Sequence, residues 1–297
     1  MKNNRPAWNV KSLLVFALSS GFAMEAQAAP PPILEYRFNE TGATAKSSGT
    51  NSTAVILRNA SGVPTDLHSG NGQGVSGRTG DRSFNNSAAR HMGRGDNSQN
   101  AGGIANQKDL AAIDKLASLT LQGWFKTVPG KKIGGFARLF DNHNDRITPQ
   151  GGFELYGGVN DNGSTAPGKL SLLLDGVQVS SGTAAYQEQS TWVFFAVSYD
   201  GTHPTNNVKF YKGTRTSPVV LVDTLTLNKA SVNEAPTGLG LGNRDRRPSI
   251  PTEVRDRPFD GFLDNLRIFG ATTGNGGILS QSELETLRVR DLVNRSQ

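Results

Sequence analysis

One stretch near the end of the chain, Arg257 to Gly270 (RPFDGFLDNLRIFG), most constrains what the chain can fold into. Its apolar residues recur with a period of two, which is typical of a β-strand. The two predicted faces carry Phe262, Leu266 and Ile268 on one side and Leu263 and Phe269 on the other. Because both faces hold apolar side chains, we predict a strand that is covered from two sides.

The same stretch carries charged residues whose placement matters. Asp260 and Asp264 fall on the predicted face of Phe262. A carboxylate beside an apolar row must be exposed at the strand end, paired or bound to a cation, so these two residues are the predicted metal ligands. Arg267 falls on the opposite face from Ile268. We expect its truncation to cost much less stability than that of Ile268.

A helix is predicted after a glycine-rich link, over ILSQSELETLRVRDLV. Ser280 is a good N-cap, and Glu283 stands three residues later, which together make a capping box. The three-residue spacing of Leu284 and Leu287 places them on one side of the helix. We therefore expect both leucines to pack back on the body of the protein.

The beginning of the chain predicts an export signal. Three basic residues precede the apolar run LLVFALSSGFAM, and the small residues AQA at 26–28 offer a cleavage site before Ala29. A transmembrane anchor is the alternative, but the apolar run is too short and is broken by serine and glycine. We predict a signal peptide over residues 1–28 and a single mature domain over 29–297, released as a secreted or periplasmic protein.

The rest of the chain is predicted to form an all-β domain. It has 35 glycines, no cysteine and a modest net charge of +6. Short apolar runs are separated by Gly, Asn and Ser, which favours strands joined by turns. The absence of cysteine excludes disulfides. No second long apolar run follows the leader, so we expect no membrane span, and we expect no nucleic-acid partner in an exported protein.

The strand candidates can be placed in order along the chain. They are AVILRN, SLTLQGWFKT, GGFARLF, GGFELYGG, KLSLLL, GVQVSS, TWVFFAVSYDG, NVKFYKG, VVLVDTLTL and TGLGLGN. TWVFFAVSYDG is almost entirely apolar and is predicted to be a central strand. An Asp-Gly pair between KLSLLL and GVQVSS predicts a tight hairpin. Residues 109–117 predict a short helix with Ile113 and Leu116 facing inward.

Four of these segments, in this order, resemble the LamG-like jelly-roll family of the concanavalin A-like lectin/glucanase superfamily. LEYRF at 34–38 resembles the opening strand, SLTLQGWFKT the first central strand, and TWVFFAVSYDG the W-x-x-x-A-x-x-Y-D-G strand. DGFLDNLRIF followed by LSQSELETLR resembles the closing strand and its capped helix. The resemblance spans residues 33–293. It implies a two-sheet antiparallel β-sandwich, a jelly roll, with a short C-terminal helix, and it implies little about function because one fold hosts many functions.

The resemblance also implies a possible calcium site. In such domains the Asp of the closing strand often joins an early Asp in a D-x-S-G-like turn. Here that turn reads KSSGT, with Lys46 at the position of the acidic residue. Two hypotheses follow. Either Ca²⁺ binds at Asp264 with Asp260, or Lys46 pairs with Asp264 and replaces the ion.

Catalysis is not predicted. Glycoside hydrolases of this superfamily need two carboxylates that flank the scissile bond, and no E-x-D-x-x-E pattern occurs here. The four histidines are scattered, and no G-x-S-x-G or H-E-x-x-H motif is present. The run Asp141 to Asp145 is rich in oxygen ligands but lacks the spacing of an EF-hand, and we predict a polar hairpin tip there.

Binding of a carbohydrate is the predicted function. Sugar sites combine aromatic platforms with amide and charged groups, and the predicted ligand-binding residues are Trp124, Tyr156, Asn160, Asp161, Arg244 and Arg246. The basic loop that holds the two arginines also carries acidic residues, so a solvated loop with weak ion pairs is the alternative. We predict a secreted, non-catalytic protein that binds a polysaccharide or glycoprotein. A glycoside hydrolase and a structural envelope or matrix protein remain as alternatives.

Overall fold

The computed structural model describes residues 28–89, 101–105, 110–143, 150–159, 165–235, 238–244 and 257–293. The predicted signal peptide, up to residue 27, lies outside these ranges. Within them the strands are β1 (Leu34–Tyr36), β2 (Thr44–Lys46), β3 (Ala54–Arg58), β4 (Phe84–Asn85), β5 (Gly102–Ile104), β6 (Ser118–Thr127), β7 (Arg138–Asp141), β8 (Phe153–Val159), β9 (Thr165–Leu174), β10 (Val177–Ser180), β11 (Val193–Asp200), β12 (Val208–Thr214), β13 (Val220–Leu225), β14 (Gly240–Leu241) and β15 (Gly261–Ala271). A 3₁₀ helix covers Ala111–Ile113, and the α-helix α1 covers Gln281–Val293.

The strands form two antiparallel sheets, which confirms the predicted β-sandwich with a C-terminal helix. The first sheet has the order β1-β15-β6-β11-β12-β13, and β4 also pairs with β15. The second sheet has the order β10-β9-β8-β7-β14-β5-β3-β2. Strand β11, predicted to be central, lies between β6 and β12. The closing strand β15 is likewise central, since it lies between β1 and β6.

The main hydrophobic core fills the space between the two sheets. Alternate residues of β6 and β11 enter it, as the period-two pattern predicts, and these include Leu121, Phe125, Phe195 and Val197. Their neighbours Phe194 and Ala196 belong to a second cluster beneath α1. Each fully buried side chain of this size stabilises the fold by about 1.5–3 kcal/mol. The first sheet is thus covered on both faces.

Strand β15 contains a bulge that the sequence pattern did not indicate. Its pairing with β6 shifts between Asp264 and Arg267, and Asn265 adopts a φ of 46°. The extra residue reverses the faces on one side of the bulge. As a result Leu263, not Phe262, shares the inner core with Leu266 and Ile268, as the core cluster shows. Our assignment of Phe262 to that face is wrong, whereas the inward orientation of Leu266 and Ile268 is confirmed.

Helix α1 begins as predicted. The Ser280 hydroxyl accepts the Glu283 N–H at 3.2 Å, and the Glu283 carboxylate accepts the Ser280 N–H at 2.7 Å. Leu284 and Leu287 are buried against the first sheet. The capping box and the inward leucines are therefore confirmed. Across the described residues, no helix is long and apolar enough to cross a membrane.

Two further local predictions are confirmed. Asp175 and Gly176 form the two-residue turn between β9 and β10, with φ values of 48° and 83°. Positive φ at both positions is the requirement of a type I′ hairpin turn. In the predicted short helix only a 3₁₀ turn forms, but Ile113 and Leu116 are buried as expected.

Candidate functional site

Polar side chains line the outer face of the second sheet. On β8, Phe153 and Leu155 enter the core, so Glu154 and Tyr156 point the other way. The same alternation places Ser171 of β9 and Gln178 of β10 on this outer face. It lies on the opposite side of the sandwich from α1, which covers the first sheet.

Four ionisable residues, here named the Arg138 cluster, meet on this face: Arg138 and Asp141 of β7, His143, and Glu154 of β8. The Arg138 Nε donates to Asp141 Oδ2 at 3.1 Å, and its Nη2 lies 2.7 Å from Glu154 Oε2. Asp141 and Glu154 are register partners on adjacent strands. All four side chains are almost completely buried. One guanidinium thus serves two carboxyl groups in a low-dielectric setting.

The pKa values of the two carboxyl groups in the cluster are shifted in opposite directions. Burial and the neighbouring Glu154 charge raise the pKa of Asp141 well above its usual value. Burial acts in the same direction on Glu154, but the Arg138 charge and His143 outweigh it and lower the pKa of Glu154 to about 2. Two like charges side by side cannot both ionise freely. Asp141 therefore holds its proton more tightly than Glu154 does.

His143 adds a buried imidazole ring to the cluster. Its Nδ1 lies 3.5 Å from Glu154 Oε1, and its side chain is fully buried. Within the described part of the chain, Nε2 has no hydrogen-bond partner. A buried ring nitrogen without a partner is costly unless a ligand or water satisfies it. The cluster can therefore receive one further hydrogen-bonding group.

An aromatic pair, Phe136 and Tyr156, adjoins the Arg138 cluster. The ring centroids are 5.8 Å apart, and the planes are tilted by 18°. The Arg138 guanidinium lies 4.3 Å from the Tyr156 ring, and the Arg257 guanidinium lies 4.6 Å from the Phe136 ring. Contacts of this kind are cation–π interactions. Tyr156 is buried, whereas Phe136 is half-buried.

A row of hydrogen-bonding groups continues from the aromatic pair across β9 and β10. The Tyr156 hydroxyl donates to Gln178 Oε1. The Gln178 amide donates to Ser180 Oγ at 3.0 Å, and Ser180 Oγ lies 2.7 Å from Ser171 Oγ. Gln178 and Ser180 are partly exposed. This polar row presents one amide and two hydroxyls beside the aromatic pair.

The structure brings two of the predicted ligand-binding residues into this region and leaves three untested. Tyr156 is part of the aromatic pair. Arg244 is close enough to Asp141 that its charge acts to lower the pKa of that carboxyl, against the stronger effects that raise it. Asn160, Asp161 and Arg246 lie outside the described residues.

Trp124 is a structural residue, which corrects its prediction as a ligand-binding platform. Its ring is fully buried on the outer face of the first sheet, beneath α1. The indole N–H donates to Asp291 Oδ2 at 2.9 Å, and the Phe194 ring packs edge-on at 5.3 Å. The helix therefore occupies the face on which a sugar would have to stack.

The predicted metal ligands do not converge on one site. Asp264 is fully buried, and its two oxygens accept the Val75 and Asn265 backbone N–H groups, each at 2.7 Å. Asp260 instead forms an ion pair with Lys131. Among the described residues, no group of three or more acidic, histidine or cysteine side chains is arranged to hold a metal ion. Calcium at Asp264 stays a prediction.

The alternative partner of Asp264, Lys46, is excluded by its position. Lys46 is exposed on β2, an edge strand of the second sheet, whereas Asp264 is buried on the first. Burial and the nearby Asp81 carboxylate raise the pKa of Asp264 well above its usual value. Backbone N–H groups, not a lysine, therefore satisfy this carboxyl group.

Sequence reasoning missed Arg138 and Glu154, and it did not select Phe136 or Arg257 as ligand-binding residues. A usable signal was present, because Arg138 and Glu154 each interrupt an apolar strand, and a charge inside such a strand must find a partner. The prediction of a polar hairpin tip at Asp141 is wrong for its described part. Asp141 and His143 are buried, and the Asn142 side chain accepts the Phe153 N–H at 2.7 Å.

The fold is a two-sheet antiparallel β-sandwich, and the outer face of its second sheet is polar and aromatic. No protein-family model matches the sequence. No curated protein matches it either. Similarity to solved structures is confined to the fold.

Three of these structures illustrate the likeness. CBM40 of the Ruminococcus gnavus IT-sialidase, bound to α2,3-sialyllactose, is 16% identical over 64% of this chain and 92% of that chain, with a TM-score of 0.42. Domain 4 of the Geobacillus stearothermophilus arabinanase AbnA, in complex with arabinotriose, is 18% identical over 87% and 88%, with a TM-score of 0.38. The binding domain of botulinum neurotoxin serotype G is 8% identical over 87% and 50%, with a TM-score of 0.48.

Proposed function

We propose that this chain is an exported, non-catalytic glycan-binding domain of the LamG-like kind, whose site is the outer face of the second sheet. Its partner would be a polysaccharide or the glycan of a glycoprotein. The order of four sequence motifs supports the LamG-like assignment. The binding function is argued from the aromatic pair and its surroundings.

The conformation of Phe136 is the observation that carries the proposal. Its φ is 66°, in the left-handed region that a bulky residue rarely adopts. Strain of this kind costs about 1–3 kcal/mol and is concentrated at ligand-binding and active sites. Here it holds a half-buried ring against Tyr156, between two arginines. The half-buried Phe136, fixed in this way, offers a rigid apolar contact to a sugar.

The polar groups around this ring match the hydroxyls of a sugar. Gln178 and Ser180 offer an amide and a hydroxyl on one side. On the other side the Arg138 guanidinium lies 4.3 Å from the Tyr156 ring and helps to fix the aromatic pair. Binding sites typically combine an aromatic surface with a few fixed polar groups.

Substitution of Phe136 tests this function. Phe136→Ala removes the stacking surface and should weaken glycan binding at least tenfold on a glycan array or in calorimetry. Phe262→Ala is the matched control, because Phe262 is also half-buried beside a cation, with Lys126 Nζ at 4.3 Å, but lies on the first sheet. Equal loss in both variants, or no binding by the unchanged protein, would contradict the proposal.

A glycoside hydrolase is the second candidate, because the pKa of Asp141 is raised and that of Glu154 is lowered, as an acid and a nucleophile require. Retaining and inverting hydrolases separate these groups by about 5–10 Å so that the scissile bond fits between them. Here both contact the same Arg138 and are buried. We expect no release of reducing sugar. Release that disappears in Asp141→Asn would favour the hydrolase.

Export is the remaining part of the proposal. The apolar run and the AQA site predict a mature chain that begins at Ala29. N-terminal sequencing of the exported protein tests this directly. A first residue of Met1 in that fraction would contradict it.

A further inference from the structure

The exposed turn between β15 and α1 contains the pair Asn275–Gly276. Residues 272–276 are all exposed. An asparagine before a glycine is open to attack by the next backbone nitrogen, because glycine has no side chain to shield it. The same Gly-Asn-Gly tripeptide occurs around Asn71, and the pair Asn162–Gly163 lies outside the described residues. The two described pairs have the same local sequence, so a difference between them has a structural cause.

The attack needs only water as a co-reactant. The backbone nitrogen of Gly276 forms a bond to Cγ of Asn275, and the bond from Cγ to Nδ2 breaks. The proton of the Gly276 nitrogen leaves with Nδ2 as ammonia, and a cyclic imide remains. Water then opens the imide at either carbonyl. One opening gives aspartate, and the other gives isoaspartate, whose backbone is one carbon longer.

The reacting groups at Asn275 are not held by other groups. Within the described part of the chain, neither the Asn275 side chain nor the Gly276 N–H makes a hydrogen bond. A Cβ placed on Gly276 would meet Ala271 alone, at 3.6 Å. The Asn275 carbonyl accepts the Ile278 N–H at 3.0 Å, which leaves the side chain free to turn. The side-chain amide can therefore approach the Gly276 nitrogen without breaking a contact.

The same groups at Asn71 are both held. The Gly72 N–H, which would have to attack, donates to the Asp81 carbonyl at 2.9 Å. The Asn71 side-chain oxygen accepts the Gly80 N–H at 2.5 Å. Both hydrogen bonds must break before the ring can close. Each is worth about fivefold, so ring closure at Asn71 should be at least about tenfold slower than at Asn275.

The residue that follows the reactive pair is fixed to β6. The Gly277 N–H donates to Ser118 Oγ at 3.0 Å, and the Gly277 carbonyl accepts Thr120 Oγ1 at 2.8 Å. A Cβ on Gly277 would lie 2.4 Å from the Ser118 carbonyl oxygen, so the two backbones are in close contact. The Leu279 N–H also donates to Thr120 Oγ1, at 3.3 Å. An additional backbone carbon just before Gly277 would displace the segment that leads into α1.

We propose that Asn275 is a modification site, at which reaction with water yields isoaspartate and loosens α1 from the first sheet. Helix α1 covers Trp124 and supplies Asp291, the acceptor of the Trp124 N–H. Loosening of the helix therefore exposes a second hydrophobic cluster. The reaction limits the lifetime of the fold and does not depend on the glycan-binding function proposed above.

Peptide mass mapping of the intact protein after storage at mildly alkaline pH tests the site. Asn275 should convert at least about tenfold faster than Asn71 in the folded protein. In urea the two rates should become similar, because the tripeptides are identical. Equal rates in the folded protein, or no conversion at Asn275, would overturn the proposal.

Variants in the turn separate the chemistry from its effect on α1. Gly276→Ala shields the nitrogen and fits beside Ala271, so it should slow the conversion several-fold. Thr273→Ala, an exposed change in the same turn, should leave the rate unchanged. The isoaspartate form should melt at a lower temperature than the unconverted protein. Asn275→Asp carries the same charge without the additional carbon, and it should melt like the unconverted protein.

Two results would contradict these expectations. A Gly276→Ala variant that converts at the original rate would rule out attack by the Gly276 nitrogen. An isoaspartate form that melts at the same temperature as the Asn275→Asp variant would rule out the loosening of α1.

Discussion

The guanidinium of Arg267 and the carboxylate of Asp291 form a two-bond ion pair with no exposure to solvent. The distances are 2.9 Å for Nη1–Oδ2 and 2.5 Å for Nη2–Oδ1. Arg267 lies on β15 and Asp291 on α1, so the pair joins the helix to the sheet. Glu35 of β1 accepts from Arg267 Nε at 2.7 Å. One side chain thus connects three elements.

Removal of one partner of the Arg267–Asp291 ion pair should strongly destabilise the fold. Asp291→Ala leaves Arg267 buried with too little negative charge and deprives the Trp124 N–H of its acceptor. Truncation of one member of a buried ion pair typically costs about 3–5 kcal/mol. Urea unfolding would measure this cost. Glu234→Ala is the control, because Glu234 pairs with Lys115 in the open and should change stability by less than about 1 kcal/mol.

Low pH should reduce the stability of the fold, because Glu35, which accepts a hydrogen bond from Arg267, becomes protonated. Burial would raise the pKa of Glu35, but the Arg267 charge and hydrogen bonds from Ser48 and Arg37 outweigh it and lower the pKa to about 2. Because the folded pKa is below the ordinary value of 4.5, the stabilisation is complete above pH 4.5 and is lost as the pH falls towards 2. The stability lost over this range is about 3 kcal/mol.

Unfolding curves from pH 7 to pH 3 check this dependence. Glu35→Gln should be less stable at pH 7 and should approach the unchanged protein as the pH falls. Glu234→Gln, at an exposed glutamate, should keep the pH slope of the unchanged protein. A Glu35→Gln slope equal to that of the unchanged protein would contradict the assigned direction.

Truncations along β15 test its two faces. Ile268→Ala opens a cavity in the inter-sheet core and should cost about 2–5 kcal/mol. Our expectation that Arg267→Ala costs much less is wrong on structural grounds, since Arg267 is as buried as Ile268. Both variants should be severely destabilised in thermal melts. Val220→Ala, on the edge strand β13 and 50% exposed, should stay within about 0.5 kcal/mol.

Calcium dependence separates two hypotheses for Asp264. If Asp264 binds Ca²⁺, the melting temperature should rise with calcium concentration, and Asp264→Asn should remove the rise. If Asp264 serves only its backbone partners, the melting temperature should be the same in calcium and in chelator. We expect the second result, because both oxygens already accept N–H groups. A calcium-dependent rise in the unchanged protein would overturn it.

Local features of this fold could be predicted from the sequence, and long-range ones could not. The capping box at Ser280 and the Asp175–Gly176 turn depend on residues next to each other, so their patterns are complete in the sequence. The bulge at Asn265 depends on how β15 fits against β6, and an alternation pattern cannot show it. It reversed the predicted face of Phe262.

The residues of the candidate site could not be predicted from the sequence for a similar reason. Asp141 and Glu154 become neighbours only through the register of β7 and β8, so a search for carboxylates on one strand misses them. Phe136 owes its role to a backbone conformation that its sequence neighbours do not indicate. Tyr156 was predicted because aromatic residues are intrinsically suited to sugar binding.

The position of β15 also sets an order of events during synthesis. Leu34 pairs with Ile268, and β15 separates β1 from β6 within the first sheet. In a chain that emerges from its N-terminus, β1 therefore lacks its partner until more than two hundred further residues have followed, and the β15 side of β6 stays unpaired until the same strand arrives. Contacts of such long sequence separation slow folding. The domain should remain open through most of its translation, and it should close in one late step when its last strand enters the middle of the sheet.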